Sequence, residues 1–356
     1  MVRTVHFVVP AELDDPAKPT GGNIYDRRIY EGLIDAGWSV TKHSAPGSWP
    51  LPDAAAEQAL ARLIGAIADG TVVLIDDLIA STVPGIVVPA AARLTLVVLV
   101  HMSIGEAPPG HQVPDAEARE GAVLAAVAAV VTTSSWTRDR LLLRYALPPA
   151  KVHAAEPGVD PAELVSGTDG GGELLCVAAV AAHKGHDVLL AALAASADLP
   201  WRCVCVGTLD REPAFVENLR HQAEQAGIAD RVCFSGLLTG TDLAHAYAAA
   251  DVLVLPSHAE TYGMVVTEAL ARGLPVITTA AGGLPEALGR TSDGRRPGLL
   301  VPAGDSRALA AAIRRWLVDA DLRQGLRSAA RERRSALTGW DLTSSRIAQV
   351  LAAATP

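Results

Sequence analysis

The sequence predicts an α/β fold made of two parallel-sheet domains, and three observations carry that expectation. Short apolar runs of strand length alternate with Ala/Leu-rich stretches of helical length. The alternation stops at a glycine-rich segment near the middle and then restarts. The 356 residues suit two domains of Rossmann size better than one core.

In the first half, strands are expected at 5–9, 72–75, 94–100 and 127–132, with helices at 24–36 and 54–68. The stretch 163–173 (Glu-Leu-Val-Ser-Gly-Thr-Asp-Gly-Gly-Gly-Glu) has the composition of a flexible linker. Beyond it, strands are expected at 174–180, 202–206, 232–235, 252–255 and 275–278. Helices at 187–195, 214–226, 243–249 and 265–272 alternate with them, and helices at 307–318, 321–334 and 343–354 close the chain. The resulting division is a first domain over 1–163, a hinge over 164–173, a second domain over 174–338 and a C-terminal helix over 339–356. Open parallel sheets bind ligands beyond the C-terminal ends of their strands, so two such domains would face a ligand across a cleft, closing about Gly170–Gly172.

Composition narrows the function. Half of the residues are hydrophobic and 19% are charged, which excludes general disorder. Thirty basic against 39 acidic residues leave a net charge of −9, a poor match to duplex nucleic acid. Basic residues concentrate between Arg314 and Arg346 at helical spacing, as on a solvated helix face. The start Met1-Val2-Arg3-Thr4 runs directly into a strand, and the longest wholly apolar run, 122–131, is too short to cross a bilayer. A soluble, cytoplasmic chain without a transmembrane segment is therefore expected. Cys176, Cys203, Cys205 and Cys233 all sit in apolar, strand-like contexts, as buried reduced thiols rather than a zinc cluster.

The segment from Val252 to Ile277 carries the chemistry. A buried strand ends at Pro256, a short loop holds Glu260, and a helix begins near Gly263. Glycine there lets a ligand approach the backbone, and the amides that follow form an anion site at the positive end of a helix. Glu268 falls ~1–2 turns inside that helix. A carboxylate on either side of an anion site suits a ligand with phosphate in its middle and hydroxylated groups at both ends, such as a nucleotide-sugar.

These residues resemble a known family. Glu260 and Glu268, with seven residues between them, reproduce the E-x7-E motif of retaining glycosyltransferase family 4. Pro256-Ser257 before the motif and Gly273-Leu274-Pro275-Val276 after it are similar too, as are Arg231–Gly236, Tyr247–Asp251, the Gly282-Gly283-Leu284-Pro285-Glu286 loop and Glu156–Asp160. The resemblance implies a GT-B fold, with two Rossmann-like domains facing across a cleft and a C-terminal helix crossing back to the first. It implies that Glu260 contacts the donor sugar and Glu268 the ribose. Lys184, the backbone of Tyr262, Gly263 and Met264, and the Gly282-Gly283 loop would hold the diphosphate. One departure stands out: Ala179 occupies the place of an arginine that usually precedes the Lys184-Gly185 pair. Arg211 or Arg202 could supply the missing cation.

In the first domain, Gly21-Gly22-Asn23 follows the first strand and opens a helix, with Asn23 as its expected N-cap. The spacing is not a dinucleotide fingerprint, but the family has a Gly-Gly loop there that approaches the donor phosphates. His101 ends a very apolar strand. The resemblance places it near the donor sugar and the attacking hydroxyl; a satisfied structural histidine is the competing reading. The segment 102–114 reads as a long loop, in which Glu106 is a possible acceptor contact, as are Asp76 and Asp77 at another strand end, with a solvated turn as the alternative. Ser134 and Trp136 read as structural. No metal site is expected, since Asp319-Ala320-Asp321 falls at a helix boundary, and no cofactor beyond the nucleotide-sugar co-substrate.

The expected function is transfer of a sugar from a nucleoside-diphosphate sugar to a hydroxyl acceptor with retention, by a front-face mechanism. The acceptor is read as a soluble small molecule, because no basic amphipathic helix is evident in the first domain. Alternatives are a nucleotide-sugar epimerase or a phosphorylase on the same fold, or a non-catalytic nucleotide-binding member, which Ala179 keeps open.

Overall fold

The computed structural model describes residues 3–15, 20–106 and 113–355. The chain divides into two compact units, Met1–Gly158 with Gly339–Pro356, and Val159–Thr338.

The first unit holds a six-stranded, all-parallel sheet of β1 (Thr4–Pro10), β2 (Ser39–Ala45), β3 (Val72–Asp76), β4 (Thr95–Val100), β5 (Ala129–Thr132) and β6 (Val152–Ala154), in the order β2-β1-β3-β4-β5-β6. Every residue of β3, β4 and β5 is buried, which is why these strands read as continuous apolar runs. The edge strands β2 and β6 escape that reading; β2 is Ser-Val-Thr-Lys-His-Ser-Ala, and only its last residue is buried.

The helices of this unit are α1 (Gly21–Asp35), α2 (Ala54–Ala66), α3 (Asp77–Ala80), α4 (Pro84–Ala90), α5 (Ala116–Ala126) and α6 (Ser135–Tyr145). Thr20, not Asn23, caps α1: its hydroxyl accepts the Asn23 amide at 3.1 Å. Tyr25, Ile29 and Leu33 follow at helical spacing and form the buried face, joined by the buried Asp26. Ser134 caps α6 by accepting the Thr137 amide at 3.0 Å, so its role is structural, as expected. Of the long loop 102–114, residues 104–106 form a short 3-10 turn and 107–112 lie outside the described residues.

The second unit repeats the design. Its parallel sheet contains β7 (Glu173–Val177), β8 (Arg202–Val206), β9 (Val232–Gly236), β10 (Val252–Leu255), β11 (Val276–Thr279) and β12 (Gly298–Val301), ordered β12-β11-β10-β7-β8-β9. Its helices are α7 (His186–Ala194), α8 (Pro213–Gln225), α9 (Gly240–Ala248), α10 (Met264–Ala271), α11 (Leu284–Leu288), α12 (Ser306–Val318) and α13 (Ala320–Arg334). Asp319 ends α12 and caps α13, accepting the Leu322 amide at 2.9 Å, so Asp319-Ala320-Asp321 is the helix boundary that was expected. The last helix, α14 (Trp340–Ala354), belongs to the first unit and packs on α1. A Cβ on Gly32 would overlap the Ser344 hydroxyl, so the two helices touch at backbone distance.

Three expectations are corrected. The segment 164–173 is not a free hinge between the units, because it lies wholly inside the second. Asp251, fully buried, accepts from the Thr168 amide and hydroxyl and from the Glu173 amide, while Trp316 Nε1 donates to the Gly171 carbonyl at 2.7 Å. The basic run beyond Arg314 is not simply solvated: Arg327 donates to the Thr168 carbonyl at 2.7 Å and straps the same segment down, and Arg334 donates to the Ala162 carbonyl just before it at 2.6 Å. Backbone carbonyls need donors, and a glycine-rich stretch cannot supply them from its own side chains. Finally, Cys233 is exposed on the edge strand β9, whereas Cys176, Cys203 and Cys205 are buried.

Candidate functional site

Each sheet reverses its strand order once, between β1 and β3 in the first unit and between β7 and β10 in the second. At such a point, the loops leaving the two strands turn to opposite sides and open a crevice at the strand ends.

In the second unit, the loops after β7 and β10 are tied together. The His258 amide donates to the His183 carbonyl at 2.9 Å. Gly185 has φ 71° and lies so close to Pro256 that a Cβ would overlap its carbonyl oxygen. This brings Lys184 and Glu260, 76 residues apart, into a 2.6 Å ion pair, with Ser257 donating to the same carboxylate oxygen at 3.0 Å. Side-chain exposure of the pair is 20% and 15%, so little water screens it.

The Gly282-Gly283 loop has a task within the unit. A Cβ on Gly282 would overlap the Glu260 carbonyl oxygen, and one on Gly283 the Thr261 carbonyl oxygen. The Gly283 amide donates to the Glu260 carbonyl at 2.9 Å and is not offered to a phosphate. The glycine pair therefore supports the backbone that carries Glu260. Tyr262 is likewise a core residue, its ring buried with Leu284 and Leu288. Gly263, at φ 100°, starts α10, and Met264 is its first residue. The Met264 and Val265 amides have no intrahelical acceptor by geometry, while the Val266 amide turns back to the Gly263 carbonyl at 2.9 Å, so the anion-binding capacity of this loop rests on the first two.

Glu268 projects from α10 toward Tyr247, which the sequence offered only as part of the resemblance and without a role. The phenol donates to Glu268 Oε2 at 2.8 Å, and Arg272 stacks on its ring at 4.3 Å from the centroid. Burial raises the carboxyl pKa of Glu268, against the lowering effect of Tyr247 and Arg272. Tyr247 stays protonated, its pKa raised well above the usual value by burial and then by Glu268. Of the two arginines considered as replacements at Ala179, Arg202 opens β8 at the amino end of the sheet, paired with Glu173, and is excluded. Arg211 follows β8 at the carboxyl end, close enough to depress the His183 imidazole, which burial and Lys184 depress first.

In the first unit, the switch point is occupied by buried charge. His101, just after β4, places Nε2 2.7 Å from Asp26 Oδ1 and 3.8 Å from Asp76 Oδ2. One nitrogen of His101 and one oxygen each of Asp26 and Asp76 lie within 4.8 Å of one another, so among the described residues there is one cluster with the dimensions of a metal site where none was expected. Burial opposes the imidazolium, but Asp26 first and Asp76 after it push the His101 pKa up to about 9. Burial and Asp26 push Asp76 up to about 7, against His101 and the Leu78 amide. Gly22 lies flat against the imidazole, where a Cβ would sit 3.5 Å from the ring; Gly21 is the first residue of α1.

Two acceptor candidates are spent inside the unit. Asp77 is 1% exposed, accepts from Ser81, and has its pKa raised well above the usual value by burial and by the buried Glu120. Glu106 pairs with Arg140, whose Nε lies at 3.0 Å, and with Arg144 at 3.8 Å. The partner that sequence reading missed is Asp26, hidden because an aspartate inside an amphipathic helix reads as solvated.

Comparison with known proteins adds two kinds of finding. Residues 167–333 match the model of the family described as glycosyl transferases group 1. The chain is 32% identical over 255 residues to the D-inositol 3-phosphate glycosyltransferase of Jonesia denitrificans, covering 65% of this chain and 59% of that protein. It is 31% identical over 267 residues to D-inositol 3-phosphate glycosyltransferase 1 of Catenulispora acidiphila, covering 69% and 61%. The chain thus spans less than two thirds of the length of the curated relatives it matches. Among solved structures, a sucrose-phosphate synthase from Thermosynechococcus elongatus matches with a TM-score of 0.80 at 24% identity, over 99% of this chain and 98% of that one. The Anabaena protein HepE, solved in complex with UDP-glucose, matches at 0.74 and 18% identity, over 98% and 99%. Among the described residues, no helix is long and apolar enough to cross a membrane. The chain has the two-unit α/β fold of GT-B glycosyltransferases, and its second unit carries the sequence pattern of the glycosyl transferases group 1.

Proposed function

We propose that the protein is a retaining glycosyltransferase of family 4, moving a sugar from a nucleoside-diphosphate sugar to a hydroxyl acceptor by a front-face mechanism without a metal ion. The observation that carries this reading is the Lys184–Glu260 pair at the switch point of the second sheet, with the open amides of α10 next and Glu268 one helix turn beyond. In the proposed reaction, the bond from the anomeric carbon to the diphosphate oxygen breaks as the acceptor oxygen bonds to the same face. The acceptor proton passes to the departing diphosphate. Lys184 and the α10 amides stabilise the charge that builds on that diphosphate, Glu260 orients the sugar hydroxyls, and Glu268 with Tyr247 receives the ribose. Arg211 is the cation that best compensates for Ala179. The UDP-glucose complex of HepE supports a uridine donor, and the names of the curated relatives support a polyol acceptor.

Calorimetry and thermal unfolding with UDP, GDP and ADP and their glucose esters test the proposal. One nucleotide should raise the midpoint as RT ln(1 + [L]/Kd) requires, and Lys184→Ala should abolish that rise. Glu260→Ala should reduce turnover far more than nucleotide affinity; equal losses would contradict its role. A non-catalytic nucleotide-binding reading, favoured by Ala179, would show binding without turnover across a polyol panel. Isomerised sugar formed from donor alone would point to an epimerase.

A further inference from the structure

Glu260 accepts two hydrogen bonds on one oxygen. Lys184 Nζ lies 2.6 Å from Oε1, and the Ser257 hydroxyl donates to the same atom at 3.0 Å. The other oxygen, Oε2, has no partner among the described residues. Within those residues Lys184 is also the one cation in contact with Glu260, and Glu260 the one anion in contact with Lys184. The carboxylate is not free to swing aside. Ser257 is fully buried, and its carbonyl accepts the hydroxyl of the buried Thr279 at 2.7 Å. The His258 amide on the His183 carbonyl and the Gly283 amide on the Glu260 carbonyl, both at 2.9 Å, fix the chain that follows. Lys184 reaches the same oxygen from another loop on a flexible four-carbon stem.

We propose that the Lys184–Glu260 contact makes this site discriminate against a bare nucleoside diphosphate, the product of the reaction, in favour of the nucleotide-sugar. The inference rests on the proposed function, which supplies the diphosphate and the sugar. In the ligand-free site, Glu260 is the internal counterion of Lys184. A diphosphate that draws the ammonium to itself leaves a carboxylate without its cation, in a crevice where little water screens the repulsion between the two anions. A bare nucleoside diphosphate offers that carboxylate nothing in return. A sugar still attached to the diphosphate brings hydroxyls, which donate to the oxygens of Glu260 and replace the bond that Lys184 withdrew. Ser257 makes the difference matter, since it keeps the carboxylate at the site instead of letting it turn out to water. Specificity is a difference between two affinities, and here one carboxylate lowers the first while supporting the second. Product therefore leaves a site that closes on itself again, with no bond broken and no proton moved.

The test is calorimetry of the full chain and of Glu260→Gln, which keeps the shape and removes the charge. The ligands are UDP, GDP and ADP, their glucose esters, and inorganic pyrophosphate as a probe without base or ribose. For the base that the unsubstituted protein binds, the bare nucleoside diphosphate should bind Glu260→Gln about fivefold more tightly, and pyrophosphate should gain as well. The glucose ester should gain nothing, so the preference between the two ligands shifts by about the same factor. Glu260→Ala, which removes the whole group, should move the bare nucleotide in the same direction and serves if Glu260→Gln does not fold. Unchanged or weaker binding of the bare nucleotide overturns the proposal. Equal gains for nucleotide and glucose ester also overturn it, because Glu260 would then repel any anion without discriminating. Either result leaves the proposed function standing, whereas binding of no nucleotide to the unsubstituted protein defeats the proposed function and this inference together.

Discussion

Both sheets are six-stranded and parallel, reverse their strand order once and place charged side chains at that point, yet they treat those charges differently. In the second unit, Lys184 and Glu260 keep 20% and 15% of their surface exposed, and the backbone under them is built from glycines that fit only where chain crosses chain. In the first unit, Asp26 and Asp76 are almost completely buried beneath His101, and the glycine beside them is an ordinary van der Waals neighbour. One unit presents charge on a shaped loop, whereas the other stores charge under a single ring. The contrast shows why a polar motif in sequence is a good guide to the first arrangement and a poor one to the second.

The largest effect should separate the two glycine loops. At Gly282, with φ 55°, a side chain must displace the Glu260 carbonyl, and Gly282→Ala should cost on the order of 3 kcal/mol in urea unfolding. Gly22→Ala should stay within about 0.5 kcal/mol, since its Cβ contact of 3.5 Å is comfortable and alanine suits a helix. Similar costs at the two positions would erase the distinction.

A smaller effect should appear as a pH dependence belonging to the first unit. His101 is raised from 6.5 to about 9, so the folded chain holds a proton that the unfolded chain releases. Its contribution is complete below pH 6.5 and is lost as pH rises through about 9, a change of about 2–3 kcal/mol. Asp76, raised to about 7, acts in the same direction between pH 4 and 7. The titratable groups facing the ring are Asp26, Asp76 and Tyr25. Denaturant unfolding between pH 6.5 and 9 should therefore show falling stability, and Asp26→Asn should flatten the slope. A flat profile in the unsubstituted protein would show that the buried charges are not coupled.

The smallest effect belongs to the second unit. Tyr247→Phe removes the donor to Glu268 and should cost about 1 kcal/mol in stability. Nucleotide affinity should fall with it if Glu268 is the ribose ligand, and calorimetry with UDP reads that directly. Unchanged affinity would leave the tyrosine a purely structural role.

The inner strands were legible because parallel strands buried on both faces have to be apolar throughout, as Val72–Asp76 and Thr95–Val100 are. The E-x7-E segment was legible because a strand, a loop and a helix follow one another within 26 residues from Val252 to Ile277, so local chemistry and local geometry coincide. Of the edge strands, β9 was legible and β2, β6 and β12 were not: β2 is mostly polar, and β6 and β12 are only three and four residues long.

Sequence alone determined the α/β class, the inner strands and the acidic motif, all of which follow from periodicity and from contacts within a short span of chain. Tertiary structure alone decided that the Gly-rich stretch 163–173 is strapped down by Asp251, Trp316 and Arg327, that Gly282-Gly283 supports Glu260, and that Asp26 meets His101. Each of these joins residues 22 or more positions apart through a hydrogen bond or a backbone crossing. The physical reason is that a buried polar group must find its partner in space, and composition records the need for one without saying where it lies.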